Sequence, residues 1–184
     1  MPAAVAPRRS RSKTRDIRFA VKLRAEPQAV YQALTSAREL TRWWLLGAET
    51  DARNAGRVRM VWPRVRSELG GSLCKGLGER EGTFVDLEPG KKVAWLFKPV
   101  RGDRRAPPLV SVFIGKRRGL SEVTLLHAGF GAGPSCDELY RGYARAWEDG
   151  LAKLKLYLET GRTCKMESID LEMARILARA RARR

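Results

Sequence analysis

Histidine occurs once in the 184 residues and no CxxC pair is present, so a structural zinc site of the usual Cys/His kind is not expected. The three cysteines, Cys74, Cys136 and Cys164, are odd in number and scattered, which argues against a disulfide framework and fits a reducing compartment. Long apolar runs are also missing. The longest, Trp43 to Ala48 (WWLLGA), falls far short of the roughly 20 residues that a membrane-spanning helix needs. The opening residues MPAAVAPRRSRSKTR lack the apolar region of a secretory signal, so the expected location is cytoplasmic. There is no internal repeat. Acid is the scarce charge: 37 Lys plus Arg stand against 20 Asp plus Glu, a formal net charge of +17.

A hydrophobic content of 43% is enough for a core. At this length a globular chain hides about 70% of the surface its unfolded form exposes, which predicts one compact domain with tails. The excess base is spread along the chain. Residues 1–15 carry five bases and no acids, residues 163–184 six bases and three acids, and the body between them 26 bases and 17 acids. A field of this sign attracts nucleic acid, anionic lipid and acidic proteins before any specific site is implied. No DNA- or RNA-reading motif accompanies it, and 27 of the 37 bases are Arg, which suits a GC-rich genome equally. Nucleic acid is therefore a lesser reading.

Residues 1–15 have no apolar periodicity and read as a disordered basic arm. From Asp16, the alternation of Ile17, Phe19, Val21 and Leu23 with Arg18, Lys22 and Arg24 predicts a strand buried on one face. Pro27 suits a first helical turn, and Ala29, Val30, Ala33 and Leu34 give that helix an apolar stripe. Ser36 and Glu39 form an S-x-x-E capping box that predicts a second short helix running into Trp43 and Trp44. Strand patterns follow: GRVRMVW from Gly56, then GTFVDLEPGKKVAWLF as a hairpin turning at Pro89-Gly90, then LVSVFIG and SEVTLLHAGF as a hairpin across KRRGL. Residues 99–108 read as a Pro-rich charged loop. Four glycines between Val65 and Arg80 predict a weak strand or a flap over a cavity.

The longest element is predicted from Asp137, taken as N-cap, to Gly161, taken as C-cap. Tyr140, Tyr143, Trp147, Leu151, Leu154 and Leu158 recur every three or four residues and form one apolar stripe. Gly150 borders that stripe, where it permits a close approach or leaves room for a ligand. Residues 166–180 show a second amphipathic pattern through Met166, Ile169, Met173, Ile176 and Leu177, acids first and arginines last, as a helix dipole prefers.

This order predicts an α+β fold with helices at the ends and a sheet curled around the long helix. VYQALTSARELTRWW, GTFVDLEPGKKVAWLF, and SEVTLLHAGF followed by WEDGLAKLKLYLETG resemble the START-like (SRPBCC, helix-grip) superfamily. Within it they are similar to the C-terminal domain of the activator of the ninety-kilodalton heat-shock protein ATPase. The resemblance runs from about Asp16 to Gly161 and implies a domain over residues 16–162. It leaves aside the arm and the segment 163–184. It further implies a curved antiparallel sheet of six or seven strands gripping the long helix, with a hydrophobic cavity between them. Members include lipid and hormone binders, aromatic polyketide cyclases and chaperone activators, and fold alone does not choose among these.

The expected ligand-binding set is Trp43, Trp44, Trp62, Trp95, Phe97, His127, Tyr143 and Trp147. Two adjacent tryptophans on a helix cannot both face inward, so one of Trp43 and Trp44 should pack while the other borders the cavity mouth. Trp62, Trp95 and Phe97 sit on strand faces that parity makes apolar, core residues first and ligand contacts second. Trp147 lies on the buried stripe of the long helix. His127 falls on the same face as Val123 and Leu125, where an imidazole can orient a polar ligand group; without a carboxylate or nucleophile partner in the sequence it is a weak candidate for a general base. No catalytic residue and no cofactor are expected. Cys74 has no base near it, and the RGD at 101–103 is too short a signal. The expected function is a non-enzymatic binding protein for a small hydrophobic molecule or lipid. The alternatives are a protein-interaction or co-chaperone-like module acting through its surface and its extra C-terminal helix, residues 163–184, whose Arg-rich end could equally touch anionic lipid, and nucleic acid bound by the basic tails.

Overall fold

The structure is a computed structural model, and it describes residues 14–63, 78–99 and 106–181. Seven strands form one antiparallel sheet: β1 (Thr14–Leu23), β2 (Gly47–Thr50), β3 (Arg57–Val61), β4 (Glu79–Glu88), β5 (Lys92–Phe97), β6 (Leu109–Arg117) and β7 (Leu120–Gly131), in the order β1-β7-β6-β5-β4-β3-β2. Helices α1 (Pro27–Thr35) and α2 (Ala37–Trp43) carry the chain from one edge strand to the other. The long helix α3 (Asp137–Thr160) packs against the sheet and α4 (Leu171–Arg181) packs on α3. Register breaks at Arg15/Ile17 in β1 and Phe84/Asp86 in β4 are bulges, which bend their strands. The sheet curves around α3, and its inward rows fill the core with Ile17, Met60, Phe84, Trp95, Val112 and Leu125.

Local chemistry accounts for the joints. Pro27 opens α1 at its first turn. Ser36 closes α1 and caps α2, its Oγ accepting from the Glu39 N–H at 3.5 Å. Only half of the expected capping box forms. The Ser36 N–H is already donated to the Gln32 carbonyl as α1 runs into α2, so the Glu39 carboxylate turns instead to the Tyr157 hydroxyl at 2.6 Å. That hydroxyl holds the Glu39 carboxyl below its usual range and ties α2 to α3. The β6–β7 turn places Arg118 and Gly119 both at positive φ, the two-residue hairpin that matches strand twist.

At the termini several expectations shift. The strand begins at Thr14, so Thr14 and Arg15 belong to the sheet and not to the arm; residues 1–13 lie outside the described residues. Arg15 pairs with Asp137, which is the first residue of α3 and not its cap, because a turn of 3-10 helix at Pro134–Cys136 leads directly into it. Gly161 does cap α3, at φ 71°. The last helix starts at Leu171, five residues later than the periodicity suggests. Asp149 and Lys153 of α3 accept and donate to the backbone of Ile169 and Lys165, which holds the linker out of helical geometry until Asp170 caps the Met173 N–H at 2.7 Å. Burial pushes the Asp149 carboxyl up, and the Lys153 ammonium at 2.7 Å opposes that shift.

Ala55 sits at φ 64°, a left-handed conformation that costs an L-residue about 1–2 kcal/mol and glycine almost nothing. Ala55→Gly should therefore raise the unfolding free energy by up to about 1 kcal/mol, glycine's greater unfolded-state entropy taking back part of the gain. Urea denaturation checks this; equal or lower stability would show that the turn is not strained.

Candidate functional site

The gap between α3 and the inner face of the sheet closes to a small recess. Its walls are Trp44 after α2, Trp62 after β3, Arg80 on β4, Phe97 on β5, Val110 on β6, His127 on β7, and Tyr143, Ala146 and Trp147 on α3. The free space left among these side chains is about 10 Å³. That is room for about one water, so the walls must part before a larger molecule can enter.

Trp43 and Trp44 are both buried, at 1% and 5% exposure, against the expectation that only one could face inward. The helix ends at Trp43, and Trp44 leaves helical geometry with φ −125°, which lets the two rings stack with centroids 5.2 Å apart on the same side. Trp43 is committed to the core, donating to the Ala33 carbonyl at 3.0 Å, while Trp44 lines the recess. Gly150 is what admits Trp44: a Cβ there would stand 3.3 Å from the indole, so the glycine serves a close approach of helix and ring. Trp44 meets Trp62 edge to face and lies 5.9 Å from Trp147. Phe97 stacks on Trp95, which is buried outside the recess. Six of the eight predicted residues thus surround one space, and Trp43 and Trp95 stand behind its walls.

His127 is 1% exposed and both of its nitrogens are taken. Nδ1 accepts from the Trp147 indole N–H at 3.0 Å, so Nε2 carries the proton and donates to the Pro107 carbonyl at 2.7 Å. This leaves neither nitrogen free for a ligand or for proton transfer; only the ring face borders the recess. Burial pushes the imidazole pKa down to about 4, and the charge of Arg80 pushes the same way.

Sequence reasoning missed Arg80, Val110 and Ala146, and of these Arg80 is the one with a polar side chain. A strand opening at Gly82 leaves position 80 in the glycine-rich stretch, whereas β4 begins at Glu79 and places Arg80 inward, in step with Gly82 and Phe84. Extending the two-residue alternation backward from Phe84 would have found it. The Nε of Arg80 and the Nε1 of Trp62 are buried with no hydrogen-bond partner among the described residues. The expected flap over 65–80 lies outside the described residues, apart from Gly78 and the start of β4, as do Cys74 and residues 101–103. Among the described residues no group of His, Cys, Asp or Glu is placed to hold a metal, and no helix is long and apolar enough to cross a membrane.

A curved antiparallel sheet gripping a C-terminal helix, with an aromatic recess between them, defines a helix-grip protein of the START-like type. Residues 24–159 match the family described as Activator of Hsp90 ATPase homolog 1-like protein, and the chain belongs to that family. No curated protein matches the sequence. Among solved structures, an Aha1 dimer from Colwellia psychrerythraea is 20% identical, with 80% of this chain and 98% of that one covered at a TM-score of 0.60. CalU16 from Micromonospora echinospora is 16% identical, with 92% and 88% covered at 0.59. An AHSA1-like protein from Rhizobium etli is 22% identical, with 79% and 82% covered at 0.54. At these identities the likeness is one of fold.

Because the folded pKa of His127 lies below the unfolded value near 6.5, the unfolded chain binds the extra proton first as pH falls. The stability associated with neutral His127 is complete above about pH 6.5 and is lost toward pH 4, about 3 kcal/mol in all. This is the only histidine in the chain, so comparing wild type with His127→Gln by urea denaturation at pH 7 and pH 5 isolates its part. Wild type should lose about 2 kcal/mol more than the variant between those two pH values. Equal losses would mean that the imidazole is not held neutral.

Proposed function

We propose that the protein binds a small, largely apolar molecule in the recess between the sheet and α3 and catalyses no reaction on it. The observation that carries this reading is the recess itself: Trp44, Trp62, Phe97, Tyr143 and Trp147 converge on one space from four separate elements or junctions. Family membership supports it, since folds of this kind often bind hydrophobic ligands. The commitment of both His127 nitrogens supports the non-enzymatic half, because the side chain best suited to proton transfer is occupied. With about 10 Å³ of free space, the recess admits a ligand only if it widens, α3 moving away from the sheet.

Ala146 offers a test that removes no core contact. It lines the recess and is only half-buried, so Ala146→Leu should plug the space without unfolding the protein. The neutral fluorophore N-phenyl-1-naphthylamine should bind wild type saturably, and the variant about tenfold more weakly at an unchanged melting temperature. Equal binding by both proteins would place the probe elsewhere and overturn the reading.

A second reading rests on a different observation. Met166, Met173 and Ile176 are about half exposed or more along the C-terminal segment, an apolar face that suits a protein partner. It predicts that Met173→Ser with Ile176→Ser would abolish a complex that Ala146→Leu leaves intact, as measured by co-purification.

A further inference from the structure

The recess contains a cation that nothing described around it neutralises. Arg80 stands on the inward row of β4, where alternation would otherwise place an apolar side chain, and is 6% exposed. Its Nε has no hydrogen-bond partner, no carboxylate among the described residues pairs with it, and what its guanidinium does meet is the Phe97 ring at 5.7 Å. Trp62, also 6% exposed, keeps an unpaired indole N–H on the same recess. Trp95 has an unpaired indole N–H too, but it lies outside the recess, so Arg80 is the decisive group. His127 adds no second charge, being neutral and committed at both nitrogens.

A buried cation without a counter-charge is among the least stable arrangements in a folded protein, and a ligand that supplies the charge removes the penalty. A neutral apolar ligand would leave both donors as they are. The guanidinium is a planar fork whose geometry matches a carboxylate, and one cation calls for a monoanion and not a phosphate dianion. The remaining walls are aromatic faces. We propose that the recess binds a carboxylate carried on a flat apolar body, with the carboxylate meeting Arg80 and the Trp62 indole N–H and the body lying among Trp44, Phe97 and Trp147. This rests on the ligand-binding reading above and names the chemical class of its ligand.

The test compares 2-naphthoate with the neutral 2-naphthalenemethanol and the cationic 2-naphthylmethylammonium on the full chain, by calorimetry and by the indole N–H signals of the five tryptophans. Naphthoate should bind at least about tenfold more tightly than the alcohol, the ammonium should not bind, and the Trp62 signal should move on saturation. Arg80→Met should weaken naphthoate about tenfold or more while changing the alcohol by less than about twofold. The free variant should melt no lower than wild type, since it has lost an unpaired buried charge. Trp62→Phe, which keeps the ring and removes the donor, should weaken naphthoate alone and serves where Arg80→Met does not fold. Equal affinity for naphthoate and the alcohol would overturn the carboxylate while leaving the apolar reading standing. If neither binds, both readings fall. Naphthoate binding that survives Arg80→Met and Trp62→Phe would be attraction to the basic surface, and a folded Arg80→Met that melts lower would make Arg80 a structural residue; either result overturns the proposal.

Discussion

The hydrogen bond from the Trp147 indole to His127 Nδ1 fastens the long helix to β7, the strand beside the β1 edge of the sheet. An indole N–H donates only and a carbonyl accepts only, so placing the imidazole between Trp147 and Pro107 fixes its tautomer without ambiguity. That in turn fixes how close α3 can lie to β7. Phe130 and Tyr143 hold the ring from its sides, with centroids 4.6 and 5.1 Å away. A polar group at the centre of an aromatic cluster is costly when unpaired and specifying when paired, and here each nitrogen has its partner. The shape of the recess follows from this bond, because Tyr143 and Trp147 form its helical wall.

The tryptophan packing follows from the same closeness. With α3 held down, the turn after α2 has room for the Trp44 ring only where the helix carries no side chain, which is at Gly150. Trp44 then bridges from Trp62 on the sheet side to Trp147 on the helix, and Trp43 stacks behind it. Such contacts each contribute about 0.5–1.5 kcal/mol beyond the area they bury. The far side of α3 is fastened by charge: Asp149 and Lys153 pair with each other and with the linker backbone, and Lys165 donates to the Thr41 carbonyl near the end of α2. α3 is thereby buried on two faces.

Most of this architecture was legible in the sequence because it depends on periodicity. The two-residue alternation marks β1 and the β6–β7 hairpin, and the three-and-four spacing from Tyr140 to Leu158 marks α3. What periodicity hides is competition for one group. The Ser36 N–H could not serve both α1 and a capping box, and the Met166 to Leu177 pattern could not outweigh two α3 side chains bonded to the linker backbone. Met173 and Ile176 therefore face solvent while Ala174, which no hydrophobic pattern would select, is fully buried. Of the candidate site, the aromatic members were readable from strand and helix parity. The role of His127 was not, since both of its partners are distant in sequence: Pro107 and Trp147 each lie 20 residues away.

The excess of base separates in the structure into two kinds of charge. Arg59 bridges Glu49 and Glu79, Lys98 meets Glu81, and Lys116 meets Glu26, all on exposed surface. Such exposed pairs are weak and are screened by salt, so they serve solubility and long-range attraction more than specificity. Arg80 differs in kind. The residue is only 6% exposed, its Nε is buried without a partner, and no acid among the described residues pairs with it. A net charge of +17 can be raised or lowered at many surface positions with little consequence, whereas Arg80 stands among the aromatic rings that line the recess. The surface charges thus answer to ionic strength, and the inward arginine to what lies beside it in the recess.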